Sequence, residues 1–121
     1  MFTIRVETRF RASHQLILPD GRKEPLHRHD WLASAEVSSE GLDNMGVIMS
    51  FQKLKVMLDS AVADFDNAAI EAVGFFQQNN PSAENVARYI YDKLRVGLPD
   101  GVKLRSVRVV EEPGCSAAFS Q

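Results

Sequence analysis

Residues 2–14 read FTIRVETRFRASH and residues 27–38 read HRHDWLASAEVS, and these two stretches decide the fold. In the first, Phe2, Ile4, Val6, Phe10 and Ala12 share one parity, and Thr3, Arg5, Glu7, Arg9 and Arg11 share the other. Successive side chains leave a strand on opposite faces, so this alternation predicts a half-buried strand with His14 on its apolar face. In the second, His27, His29, Trp31, Ala33, Ala35 and Val37 alternate with Arg28, Asp30, Ser34, Glu36 and Ser38. His27 and His29 therefore also lie inward. Between the strands, Leu18-Pro-Asp-Gly-Arg-Lys-Glu-Pro25 is rich in turn residues.

Outward from this pair, Ser50 reads as the N-cap of a helix of about 16 residues, with Phe51, Leu54, Leu58, Ala61, Val62 and Phe65 at helical spacing. A second helix starts at Asn80-Pro-Ser-Ala-Glu, capped by Ser82, with Ala83, Val86, Ala87, Ile90 and Leu94 as its stripe. Leu104 to Glu111 reads as a strand that places Val107, Val109 and Glu111 on one face. Pro113-Gly114 then turns the chain into a short strand ending near Phe119. The order strand, strand, helix, helix, strand, strand predicts an α+β fold, an antiparallel sheet with both helices on one face.

The 121 residues are 45% hydrophobic and 25% charged, which fits one domain spanning 1–121 with an ordinary core. No apolar run approaches the ~20 residues of a membrane span, and no signal peptide is evident, so a cytoplasmic protein with no membrane partner is expected. The net charge is −2, and residues 1–31 carry six Lys/Arg against four Asp/Glu, too weak a bias to predict a nucleic-acid partner. Cys115 is the one cysteine, so no intrachain disulfide forms; a small, partly buried side chain is expected there.

Only three histidines exist, His14, His27 and His29, and any imidazole chemistry must use them. Residues i and i+2 of a strand project from one face about 7 Å apart, close enough for two imidazoles to converge on one ion. If the two strands pair, His14 faces that pair and completes three nitrogen ligands. Three neutral imidazoles suit Zn2+ and leave a fourth position open to water or substrate. The competing reading is three unrelated histidines in ordinary hydrogen bonds.

Phe10-Arg-Ala-Ser-His14, His27-Arg-His29, Gly46-Val-Ile-Met-Ser-Phe51, Asn80-Pro-Ser-Ala-Glu-Asn85 and Val110-Glu111, in this order along nearly the whole chain, resemble the 6-pyruvoyl-tetrahydropterin synthase and 6-carboxytetrahydropterin synthase family. The resemblance implies the tunnelling fold, assembled into trimers and commonly homohexamers with active sites between subunits. It implies zinc on His14, His27 and His29, polarising the side chain of 7,8-dihydroneopterin triphosphate as a Lewis acid. It implies that Glu111 anchors the pterin, whose amino group and ring N–H suit one carboxylate accepting both. Ser82 and Glu84 match positions that also face the pterin. Apart from the family, Glu111 reads as a strand-end charge, Ser82 as a cap and Glu84 as a residue favoured by the helix dipole.

The chain departs from the family pattern where protons move. No cysteine precedes His27, and the usual Leu-Asp-His after the first helix reads Phe65-Asp66-Asn67, so Asp66 of that pair survives and its histidine does not. Glu24, three residues before His27, resembles the Glu-x-x-His variant of a branch that cleaves the side chain to 6-hydroxymethyl-dihydropterin. A carboxylate beside zinc can act as a general base; otherwise Glu24 is a solvated loop residue. Arg28 replaces a glycine and Ser50 an aspartate. The expected activity is a zinc-dependent carbon–oxygen or carbon–carbon lyase on a pterin. The alternatives are side-chain cleavage using Glu24, a non-catalytic protein binding a pterin or purine-like ligand, and zinc acting only as a subunit staple.

Overall fold

The first two strands pair along their whole length. The computed structural model describes residues 1–121, with β1 at Phe2–His14 and β2 at His27–Ser39, antiparallel from Phe2↔Ser39 to His14↔His27. Then follow α1 (Phe51–Val62), β3 (Ala68–Ala69), two 3₁₀ turns at Ile70–Ala72 and Gly74–Gln77, α2 (Ala83–Arg95), β4 (Lys103–Glu112) and β5 (Cys115–Phe119). The sheet order is β3-β1-β2-β4-β5.

Most of the predicted parities are observed, but Phe2, expected inward, is exposed, and Ser34 and Ser38 on the opposite parity are buried. Val6, Phe10, Ala12, Trp31, Ala33, Ala35, Val37, Val107 and Val109 are buried from the sheet, and Leu54, Leu58, Ala61, Val86, Ala87, Ile90 and Leu94 bury against them from the helices. Arg5, Glu7, Arg9, Arg11, Arg28 and Asp30 on the opposite parity are exposed. Both helices therefore cover one face of an α+β sheet. Ser50 Oγ accepts from the Lys53 amide at 3.1 Å and Ser82 Oγ from the Asn85 amide at 3.2 Å, so each helix begins at its predicted cap.

Three details differ from expectation. The sheet is mixed, because β3 runs parallel to β1 through Ala12↔Ala68 and Ser13↔Ala69. Two alanines carry no alternation from which a strand can be read. The helix α1 stops at Val62, about four residues early, and the chain turns through Asn67, a left-handed residue at φ 59°. Asparagine tolerates that conformation well. Phe65, expected on the helical stripe, is fully buried from the turn after α1, whereas Phe51 at the helix start is exposed.

Candidate active site

Strand register brings the histidines together. His14 lies opposite His27 and Ala12 opposite His29, at the end of the β1–β2 pair. The ring centroids are 5.5 Å apart for His14 and His29, 5.9 Å for His27 and His29, and 6.0 Å for His14 and His27. Trp31 supports them from the core, its centroid 5.1 Å from His14 and 6.0 Å from His29, both edge-on. Its indole N–H donates to the Ala12 carbonyl at 3.2 Å, which locks the ring. Side-chain exposure rises from 3% at His14 through 19% at His29 to 42% at His27, so the cluster opens on the His27 side.

His14 Nδ1 sits 2.7 Å from the Pro81 carbonyl. A carbonyl only accepts, so Nδ1 carries a proton and Nε2 is the nitrogen left to face the cluster. That Nε2 is 3.4 Å from Glu111 Oε1, and His29 Nε2 is 3.7 Å from Glu111 Oε2. His27 Nε2 is 3.8 Å from Glu24 Oε1. Neutral imidazole nitrogens and a carboxylate gathered in this way can share one cation. The tightest group is His14, His29 and Glu111, whose ligand atoms lie within 4.8 Å of one another; His27 is not part of it. Imidazole nitrogens with a carboxylate oxygen, one imidazole oriented through its far N–H, fit a zinc ion.

Beside the histidines a cavity of about 250 Å³ is lined by Leu16, Ser82, Glu84, Glu111, Cys115 and Ser116 among others. Ser82, Glu84 and Glu111, singled out separately in the sequence, thus meet in one concavity. Glu111 arrives there at an irregularity of the β4–β5 ladder, which shifts between Val110 and Glu112. Bulges of this kind re-aim a side chain beside a site. Cys115 is exposed on the cavity wall rather than partly buried, because it opens the edge strand β5 directly after the turn. A larger concavity, about 500 Å³, lies at the other end of β2 between Ser39, Asp43, Ser50, Lys53 and Asp100; no histidine lines either concavity, and the smaller one meets the histidines through Glu111.

Glu24 is not a freely solvated loop residue. Its Oε1 accepts from the Leu16 amide at 3.1 Å, its own amide donates to the Leu16 carbonyl at 3.0 Å, and Gln15 Nε2 donates to its carbonyl at 3.2 Å. Asp66 is placed elsewhere: Oδ1 accepts from the Arg11 amide at 3.0 Å, so it docks the turn onto the edge of β1 and does not join the histidines of its own chain. Arg28 points outward, as its parity predicts. Sequence reasoning missed Asn80, whose Oδ1 accepts from the Ile17 amide at 2.8 Å and whose Nδ2 donates to the Ile17 carbonyl at 3.0 Å. Asn80-Pro81 had signalled only a helix start, yet it clamps the loop that carries Glu24 and supplies the carbonyl that orients His14.

Inward imidazoles thus stand beside a carboxylate-walled cavity, on a sheet backed by two helices. Residues 3–121 match the family model described as 6-pyruvoyl tetrahydropterin synthase, and the chain belongs to that family. It is 33% identical over 102 residues to a dihydroneopterin monophosphate aldolase of Pyrococcus furiosus, covering 84% of this chain and 82% of the relative. It is 32% identical over 125 residues to a 6-carboxy-5,6,7,8-tetrahydropterin synthase of Synechocystis, covering 98% and 91% respectively. The 6-pyruvoyl tetrahydropterin synthase of Caenorhabditis elegans superposes with a TM-score of 0.88 over 99% of this chain and 95% of that one; at 20% identity this likeness concerns the fold.

Proposed function

We propose that the chain is a zinc-dependent lyase acting on a phosphorylated 7,8-dihydroneopterin, and that it cleaves the side chain to leave 6-hydroxymethyl-7,8-dihydropterin. The observation that carries the choice of reaction is Glu24, held by the Leu16 amide with its carboxylate 3.8 Å from His27. Carbon–carbon cleavage needs one base on the side chain. The synthase reactions need a second proton relay, and the family's histidine for that relay is Asn67 here. The name of the Pyrococcus furiosus relative supports the same choice.

Glu111 accepts from the pterin amino group and adjacent ring N–H, with Ser82 and Glu84 beside it in the cavity. His14, His27 and His29 would hold the zinc, which when bound would make the side-chain hydroxyl protons easier to remove. Glu24 takes the proton from the second side-chain hydroxyl. The bond between the first and second side-chain carbons then breaks, its electron pair passes into the ring imine, the first carbon is reprotonated, and an aldehyde leaves. Asp66 contributes only from a neighbouring copy, as the trimers or homohexamers with intersubunit sites implied by the resemblance require. A cytoplasmic location fits such a substrate.

A second reading, synthase chemistry on 7,8-dihydroneopterin triphosphate, is favoured by the Synechocystis relative, which matches 98% of the chain. Zinc-loaded protein incubated with dihydroneopterin mono- or triphosphate, with products identified by mass spectrometry, separates the two. The hydroxymethyl product, lost in Glu24→Gln, is expected. A pyruvoyl or carboxy product transfers the assignment to the synthase reading, and no turnover in fully loaded protein leaves a pterin-binding protein.

A further inference from the structure

We propose that Glu111 has two alternative partners, the metal in the ligand-free protein and the pterin when it binds, so that the metal's open position appears only once the pterin ring is seated. The proposal rests on the zinc and pterin assignments above and adds an exchange between them. Its first support is geometric. Two ligand atoms each bonded to one zinc at tetrahedral angles lie about 3.3 Å apart. Glu111 Oε1 is 3.4 Å from His14 Nε2, and Oε2 is 3.7 Å from His29 Nε2. Each oxygen thus lies near ligand spacing from one imidazole nitrogen, and the three groups lie within 4.8 Å of one another, so the carboxylate is within reach of a metal held by these histidines.

The second support is a conflict of use. The same side chain forms part of the wall of the 250 Å³ cavity with Ser82 and Glu84. A carboxylate directed with both oxygens at two imidazoles has neither oxygen free for a two-point grasp of a pterin edge. The two engagements exclude each other. The third support is the backbone: the β4–β5 ladder shifts between Val110 and Glu112, and β4 pairs with β2 only up to Leu32↔Val110. Glu111 therefore lies outside both ladders, where reorientation breaks no strand pairing.

Exchange of this kind is reciprocal: whatever the metal loses when the pterin takes Glu111, the pterin loses when the metal takes it. A substrate bearing side-chain oxygens replaces the lost ligand itself, while a bare ring does not. A ligand with the ring alone seats at Glu111 but leaves the metal short of a donor.

The test uses cobalt(II) in place of zinc and unsubstituted pterin, which has no side chain at position 6. Cobalt-loaded wild-type protein changes its visible absorption when pterin binds, with binding followed independently by ligand fluorescence. Glu111→Gln protein binds cobalt at least roughly 10-fold more weakly and already shows an altered spectrum that pterin does not move further. Equal affinity and equal spectra for Glu111→Gln and wild type overturn the proposal, as does a wild-type spectrum unmoved by bound pterin. The wild-type titration needs no variant and decides even if Glu111→Gln does not fold. Failure of the wild type to bind cobalt or zinc instead overturns the zinc assignment, and failure to bind pterin overturns the ligand assignment. Each loss is distinct from loss of the exchange.

Discussion

His14 is held at both ends of its ring, by the Pro81 carbonyl at Nδ1 and by the cluster at Nε2, while Asn80 next door grips both backbone groups of Ile17. Two adjacent residues thus set the tautomer of one histidine and the position of the loop that carries Glu24. Hydrogen bonds of this type contribute about 1 kcal/mol net each, so Asn80→Ala is expected to lower stability by about 1–2 kcal/mol in urea denaturation. The distinguishing result is local: amide exchange at Leu16 and Ile17 accelerates while α2 beyond its first turn keeps its protection. Unchanged exchange at Ile17 shows that the clamp does not hold the loop. The three histidines were legible because alternation assigns a face to every strand residue. Asn80 and Pro81 were not, because their partners lie 63 and 67 residues away and no periodicity links a loop to a loop. Glu111 was legible by face but not by partner, since a bulge decides where along that face the carboxylate points.

At the scale of elements, β1, β2 and α2 follow their patterns to within a residue or two, because each buries most of one face. The stretch between α1 and α2 was illegible for the opposite reason. It packs Phe65, Ile70 and Phe76 into the core from turns and single-turn 3₁₀ segments, whose buried residues recur with no period. The two helices are joined at this end by Tyr89, whose hydroxyl donates to Asp64 Oδ2 at 2.9 Å. Burial first, and then the hydrogen bond to and charge of Asp64, push the Tyr89 phenol up from 10.0 to about 12. A folded-state value above the unfolded one means that the native protein keeps its proton longer. The resulting stabilisation is complete below pH 10 and disappears as pH climbs to about 12. Urea titrations across that window are expected to show wild-type stability falling more steeply than that of Tyr89→Phe, with the two curves converging at the top. Parallel curves mean that folding does not hold the Tyr89 phenol above its ordinary value.

For the molecule as a whole, the sheet closes neither of its sides: β3 covers only Ala12 and Ser13 of β1, and β5 has no outer neighbour. Exposed strand edges template pairing with another chain. This gives the proposed assembly of copies a physical cause, and Asp66, bonded to the Arg11 amide, sits at the β1 edge. The metal acts on the same scale, since the proposed ligands come from both strands of the central β1–β2 pair and bind as a set only in the folded chain. Zinc at one hundred times its dissociation constant then adds about 2.7 kcal/mol by mass action. Over 121 residues this corresponds to a rise in Tm of roughly 10 °C. Chelation is expected to remove that rise in wild-type protein and to leave His29→Ala unaffected, with light scattering run in parallel to follow the assembly. If chelation leaves the wild-type Tm in place, the histidines are not a metal site. If it removes the rise and splits the assembly, zinc lies at a subunit contact. If Tm falls while the assembly survives, the edges alone hold the copies together and the metal is left to chemistry.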